Sequence, residues 1–150
     1  MSHTNSYLLF HVVFATKERQ PWIDADVASR LYPYLGGLVR QLGGIAVAVN
    51  GMPDHVHLLI RLKPDRVVSD VVRSVKAKSS RWVRTTFAQH REFAWQTGYG
   101  VFTVSRTEAK KVRRYIADQQ IHHRNLAFID EFQSLLKANG LRINEEDGWD

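Results

Sequence analysis

Gly51-Met52-Pro53-Asp54-His55-Val56-His57-Leu58-Leu59-Ile60 reads as a turn feeding directly into a strand that carries two histidines. Successive side chains of a strand point to opposite faces, so His55 and His57 share one face while Val56 and Leu58 share the other. Cα atoms two apart on a strand are separated by roughly 6 to 7 Å, and imidazoles leaning together from that base bring their nitrogens within chelating distance of one ion. Two readings are open at this point: half of a metal site, or two polar residues on the exposed face of a half-buried sheet. Just upstream, Ile45-Ala46-Val47-Ala48-Val49-Asn50 is a second short strand, and the turn closes the two as an antiparallel hairpin. His55 is thereby set near one end of the sheet, where a ligand can reach it.

Further upstream, Tyr7-Leu8-Leu9-Phe10-His11-Val12-Val13-Phe14-Ala15 is almost continuously apolar and rich in β-branched and aromatic residues, the pattern of a central strand. Thr16 to Pro21 is a polar connection. Asp24 then caps a helix whose apolar positions Val27, Leu31, Leu35, Leu38 and Leu42 recur at helical spacing. Pro33 predicts a kink, because an interior proline loses a hydrogen bond and costs about 3 kcal/mol. Gly43-Gly44 ends this helix.

Downstream, the histidine strand runs to about Leu62 and Lys63-Pro64-Asp65-Arg66 closes it. A second helix starts at Ser69, with Val72, Val75, Ser79, Trp82, Val83 and Phe87 toward the core and a basic remainder. Phe93-Ala94-Trp95-Gln96 through Phe102-Thr103-Val104-Ser105 reads as a strand region interrupted by a bend at Gly98-Tyr99-Gly100. Ser105-x-x-Glu108 has the spacing of a capping box and predicts a third helix from near Arg106 to His123. After Asn125 a further amphipathic segment, with Ile129, Phe132, Leu135 and Leu136 on one face, ends at Asn139-Gly140. The order β-α-β-β-α-β-α is that of an α+β, ferredoxin-like split βαβ fold, an antiparallel sheet with helices on one face. Such a fold hosts many functions, so function has to be argued from the site.

The 150 residues, 44% of them hydrophobic, suffice for one domain over residues 1–144, followed by an acidic tail at 145–150 that is expected to be mobile. Cysteine is absent, which excludes disulfides, thiolate metal sites and cysteine nucleophiles. Met1 to Ser6 lacks the pattern of an export signal, and no apolar run approaches the ~20 residues of a membrane span, so a cytoplasmic protein without membrane contact is expected. Net charge is +6, yet the last six residues hold four acids and no base, leaving 21 Lys and Arg against 11 acids before them. Twelve of those bases lie between Arg73 and Arg124, against Glu92, Glu108 and Asp118 only. Such a surface suits a phosphate backbone; the plainer reading is a solvated face on ordinary helices.

Tyr115 and Gln119 are four apart on the third helix and hence one turn apart on one face. If that face packs over the end of the sheet bearing His55 and His57, Gln119 adds an oxygen to two nitrogens. A mixed N and O set without thiolate suits Mg²⁺ or Mn²⁺ at a phosphate better than structural zinc.

Met52-Pro53-Asp54-His55-Val56-His57-Leu58-Leu59, Trp95-Gln96-x-Gly98-Tyr99-Gly100 and Tyr115-Ile116-x-x-Gln119-x-x-His122-His123, taken in that order, resemble the single-tyrosine transposases of the smallest bacterial insertion sequences. These belong to the histidine-hydrophobic-histidine endonuclease superfamily, with relatives associated with repetitive extragenic palindromes. The similarity runs from His11 to His123. Tyr115 lies 58 residues after His57, whereas relaxases of this superfamily place the tyrosine ahead of the histidines. Rolling-circle initiators commonly carry a lysine in the tyrosine's helical turn, where Asp118 and Gln119 stand here.

The resemblance implies a DNA transposase and endonuclease in which His55, His57 and Gln119 hold Mg²⁺ or Mn²⁺ and Tyr115 attacks the phosphate. A 5′-phosphotyrosine and a free 3′-hydroxyl result, and a second 3′-hydroxyl reverses the step. The general base for Tyr115 is left open. The implied partner is single-stranded DNA carrying hairpins near the cut, and the implied assembly is a homodimer, with the tyrosine helix completing its own site or its partner's. Arg73, Lys76, Lys78, Arg81, Lys110, Lys111, Arg113 and Arg114 are the candidates for DNA backbone contacts. His122 and His123 also match the family pattern but sit where a helix end alone would favour them. His11 reads as a core histidine or a support for a ligand, and Asp54 as a turn residue able to support an imidazole ring. Two alternatives stand beside this reading. One is a domesticated relative that cuts genomic palindromes; the other is a catalytically silent nucleic-acid-binding module, in which Tyr115→Phe and His57→Ala would leave every activity unchanged.

Overall fold

The computed structural model describes residues 4–124 and 126–142, so the expected acidic tail lies outside the described residues. Four strands, β1 (Leu8–Ala15), β2 (Gly44–Met52), β3 (His55–Leu62) and β4 (Gly100–Thr103), form one sheet in the order β2-β3-β1-β4. Every pairing is antiparallel. β3 is inserted between β1 and β2, the split βαβ arrangement expected from the sequence. The β2–β3 hairpin turns on Pro53 and Asp54, with Met52 opposite His55. A Cβ at Gly51 would collide with the His55 carbonyl, so glycine is what lets the two strands approach there.

The alternation of β3 decides which helices go where. Val56, Leu58 and Ile60 join Val12 and Phe14 of β1 in the main core, beneath α1 (Ala25–Gln41) and α2 (Val68–Thr86). Leu31, Leu35, Val39 and Val83 are fully buried there, and each such side chain contributes about 1.5–3 kcal/mol. Asp24 caps α1 by accepting from the Val27 N–H at 2.9 Å. The helix is uninterrupted at Pro33 and ends before Gly43, whose φ of 85° is left-handed. These two helices satisfy the one-face arrangement of the fold.

The other sheet face, with Leu9, Val13, Ala15, His55, His57 and Leu59, is covered by C-terminal helices added to that unit: α3 (Ala109–Ala117), α4 (Gln119–His122) and α5 (Phe128–Ala138). Two local expectations are corrected. Residues 93–97 are not a strand: Phe93 and Trp95 are buried as core aromatics, and an isolated bridge from Trp95 to Thr16 stands there in place of a ladder. The third helix is not continuous either. It opens with a 3₁₀ turn at Arg106–Glu108 without the side-chain cap, and breaks at Asp118 (φ −94°, ψ 19°), so Tyr115 lies in the last turn of one helix and Gln119 begins another. Among the described residues no helix is long and apolar enough to cross a membrane.

Candidate functional site

His55 and His57 project from the start of β3 into the space under α3, α4 and α5 and are fully buried. Each ring is fixed from behind. The Nδ1 of His55 lies 2.7 Å from Asp54 Oδ1, and the Nδ1 of His57 lies 2.8 Å from Nε2 of His11, one strand over. Both rings therefore aim Nε2 at the same place. Carboxylate or imidazole support of this kind fixes the tautomer and orientation of a ligating histidine.

What they meet is Glu131, from the first half of α5 and 1% exposed. Its Oε1 lies 2.9 Å from His57 Nε2, 3.3 Å from His55 Nε2 and 3.0 Å from His123 Nε2. Its Oε2 accepts from Gln119 Nε2 at 3.0 Å and, in a short hydrogen bond, from the Tyr115 hydroxyl. Gln119 Oε1 in turn lies 3.0 Å from His55 Nε2. The nucleophile candidate and the ligand candidates thus share one carboxylate.

The protonation pattern follows from those partners. Burial pulls His55 down, but its bonds to Asp54 and Glu131 outweigh it and raise the pKa to about 9. With an acceptor oxygen at each nitrogen, His55 donates from both. Burial dominates at His57, pKa about 4, and at His11, about 3, where the neighbouring His57 adds to the effect. A neutral His57 that donates Nε2–H to Glu131 must accept at Nδ1, so His11 donates there. Burial opposes ionisation of Glu131, yet the bonds from His55 and His57 prevail and hold it far below the carboxylate range. Burial and then the Glu131 carboxylate raise the Tyr115 phenol above its ordinary value.

One ligand atom from each of His55, His57 and Glu131 lies within 4.8 Å of the others, a group able to hold a metal ion. Imidazole nitrogens with carboxylate and amide oxygens, and no sulfur, match a hard divalent cation. The four predicted residues, Tyr115, His55, His57 and Gln119, are brought together despite the helix break at Asp118. Glu131 was not among the sequence candidates. Its signal is its position three residues after Phe128 and one before Phe132, a carboxylate inside the apolar stripe of α5. His122 stacks on Tyr115 at 4.5 Å between ring centroids.

The basic candidates divide. Lys110, Lys111, Arg113 and Arg114 are exposed on α3, the helix that carries Tyr115. Arg73, Lys78 and Arg81 are exposed on α2, across the sheet from the histidines. Lys76 is half-buried and its ammonium donates to the carbonyls of Gln96, Thr97 and Gly98, which pins that loop and engages its three donors.

The family model described as "Transposase IS200 like" matches residues 4–119. The chain is 29% identical over 117 residues to the ISDra2 transposase TnpA of Deinococcus radiodurans, covering 75% of this chain and 84% of that one. It is 29% identical over 125 residues to the transposase for insertion sequence element IS200 of Salmonella typhimurium, with 79% and 81% covered. A crystal structure from Deinococcus radiodurans R1, described as a candidate transposase, superposes with a TM-score of 0.64 at 31% identity, over 79% of this chain and 98% of that one. A tyrosine transposase associated with REP sequences, solved bound to a REP hairpin, superposes with a TM-score of 0.60 over 95% of this chain and 89% of that one; at 14% identity it shows the shared fold.

Proposed function

Because the chain belongs to the IS200-like transposase family, we propose that it cleaves and rejoins single-stranded DNA at hairpin-bearing ends through a 5′-phosphotyrosine on Tyr115. The observation that carries this reading is the convergence of the Tyr115 hydroxyl, His55 and His57 on one buried carboxylate. His55 and His57, through Nε2, with Glu131 and Gln119 as oxygen donors, are the residues that would hold Mg²⁺ or Mn²⁺. Such an ion, when bound, supplies Lewis-acid polarisation of a phosphate oxygen.

The remaining work falls to the chain. Asp54 and His11 keep the two imidazoles in place from the far side. Tyr115 must lose its proton as its oxygen bonds to phosphorus, and Glu131 is the carboxylate already accepting that proton's hydrogen bond. In the resting arrangement Glu131 is a weak base, because His55 and His57 donate to it. The bond from phosphorus to the 3′-oxygen breaks, that oxygen takes up the proton released from Tyr115 and leaves as a 3′-hydroxyl, and the phosphorus, now bonded to the Tyr115 phenolic oxygen, keeps its bond to the 5′-oxygen of the other strand. Attack by another 3′-hydroxyl reverses the step and joins strands.

The test is a covalent-adduct assay on a denaturing gel, with labelled single-stranded oligonucleotides from the ends of the chain's own locus, in Mn²⁺ or EDTA. A shifted band is expected in Mn²⁺, absent with EDTA and absent in Tyr115→Phe. DNA binding without any adduct, across both strands and both ends, would replace the nuclease with a silent binding module.

A further inference from the structure

Seven positions apart on an unbroken helix, two side chains stand about 10 Å apart along the axis, too far for their rings to stack. Tyr115 and His122 do stack, with centroids 4.5 Å apart and planes 25° from parallel. The break at Asp118 brings them together, and β2 holds that break in place. Asn50 Nδ2 donates to the carbonyls of Ile116 and Ala117 at 2.9 and 3.2 Å, the last carbonyls of α3. Gln120, the second residue of α4, donates from Nε2 to Asn50 Oδ1 and to the Gly51 carbonyl, both at 3.1 Å. The turn between the two helices is thus tied to the strand that leads into the histidine strand.

The ring so placed carries a nitrogen that nothing engages. His55, His57 and His123 each bring Nε2 to Glu131, and His11 brings Nε2 to His57. The Nε2 of His122 is buried and meets no hydrogen-bond partner among the described residues. A buried polar atom in that state is costly and calls for an explanation. Packing does not supply one, since a phenylalanine would stack on Tyr115 equally well, and both rings belong to half-buried residues. The neighbouring nucleophile does supply one. A phosphate that reaches the Tyr115 hydroxyl arrives beside the ring stacked on it. Of its two non-bridging oxygens, one is polarised by the ion in the proposed chemistry and the other still lacks a donor.

We infer that His122 is that donor: its Nε2–H hydrogen-bonds a non-bridging oxygen of the phosphate that Tyr115 attacks, and the stack keeps phenol and phosphate together. The inference rests on the phosphotyrosine reading above and deepens it, adding a residue that touches substrate and lies outside the metal-ligand set. A neutral imidazole with its proton on Nε2 suffices, so the bond requires no charge on His122.

The experiment measures single-turnover adduct formation in Mn²⁺, at saturating single-stranded DNA from the ends of the chain's own locus, for wild type, His122→Phe and His122→Gln. Phenylalanine keeps the stack and removes the donor; glutamine loses the stack and keeps an amide N–H near the Nε2 position. His122→Phe is expected to form the adduct about 10- to 100-fold more slowly, with DNA affinity changed by less than about twofold and the urea midpoint unmoved. His122→Gln is expected to be at least about threefold faster than His122→Phe, because its amide restores the bond at lower strength. A packing role inverts that order. His122→Phe at the wild-type rate, a loss confined to DNA affinity, His122→Gln short of its margin, or a lowered urea midpoint in His122→Phe overturns the inference alone. Wild type without an adduct overturns the phosphotyrosine reading, and this inference with it.

Discussion

Glu131 is the residue on which the site turns, and it was the least legible. Alternation along β3 gave His55 and His57 a common face, and a four-residue interval gave Tyr115 and Gln119 theirs; both arguments are local and need no tertiary information. Glu131 lies 74 residues from His57 on a helix that reads as ordinary amphipathic packing. Only its place within the apolar stripe marks it, and a buried carboxylate without partners would be costly enough to demand an explanation. Asp54 shows the same scale from the other side: a turn residue by sequence, it orients His55 at 2.7 Å. Asp54→Asn is expected to weaken Mn²⁺ binding by about 10- to 100-fold, read by calorimetry or electron paramagnetic resonance on the unreacted protein. Unaltered Mn²⁺ affinity would mean that the carboxylate serves the turn and not the ring.

Among the elements, α5 is the one whose packing holds the site shut around its ligands. Phe128 and Phe132 are buried against Val13, Ala15 and Phe102, and Phe128 stands 4.5 Å from the His55 ring. Gly100 makes room for this packing, since a Cβ there would press into the Phe132 ring. Phe132→Ala is expected to destabilise the protein by about 3–5 kcal/mol, seen as a lower urea midpoint. A shift under about 1 kcal/mol would show that α5 docks through Glu131 alone. The apolar rhythm revealed α1 and α2 because each buries a stripe against a single sheet face. It failed at residues 93–97, where bulky aromatics look like strand but fill the main core from a loop. It also ran α3 and α4 together, because no glycine or proline stands at the Asp118 break to mark it in the sequence.

For the whole molecule, the order of strands followed from the order of elements, and the antiparallel split βαβ sheet is as expected. What the sequence could not show was the covering of the second face by the C-terminal helices, which places Tyr115 over the histidines of its own chain. A single copy therefore assembles Tyr115, His55, His57, Gln119 and Glu131. Mixing Tyr115→Phe with His57→Ala is accordingly expected to leave adduct formation absent. Recovery of about half or more of wild-type activity per active pair would instead show that the tyrosine helix is exchanged within a homodimer.

The bond from His57 to Glu131 has one more consequence, during synthesis. β1 is made first yet sits between β3 and β4, with Ala15 opposite His55 and Leu8 opposite Leu62, so the central strand waits for residues 40 to 54 positions later before it can pair. Long-range closures of this kind slow folding. The centre waits longer still, because the carboxylate that joins the tyrosine to the histidines emerges after every strand of the sheet. A nascent chain can thus complete its sheet while the cluster of Tyr115, His55, His57 and Glu131 is still unassembled, and the order of translation itself keeps the unfinished protein from presenting a finished site.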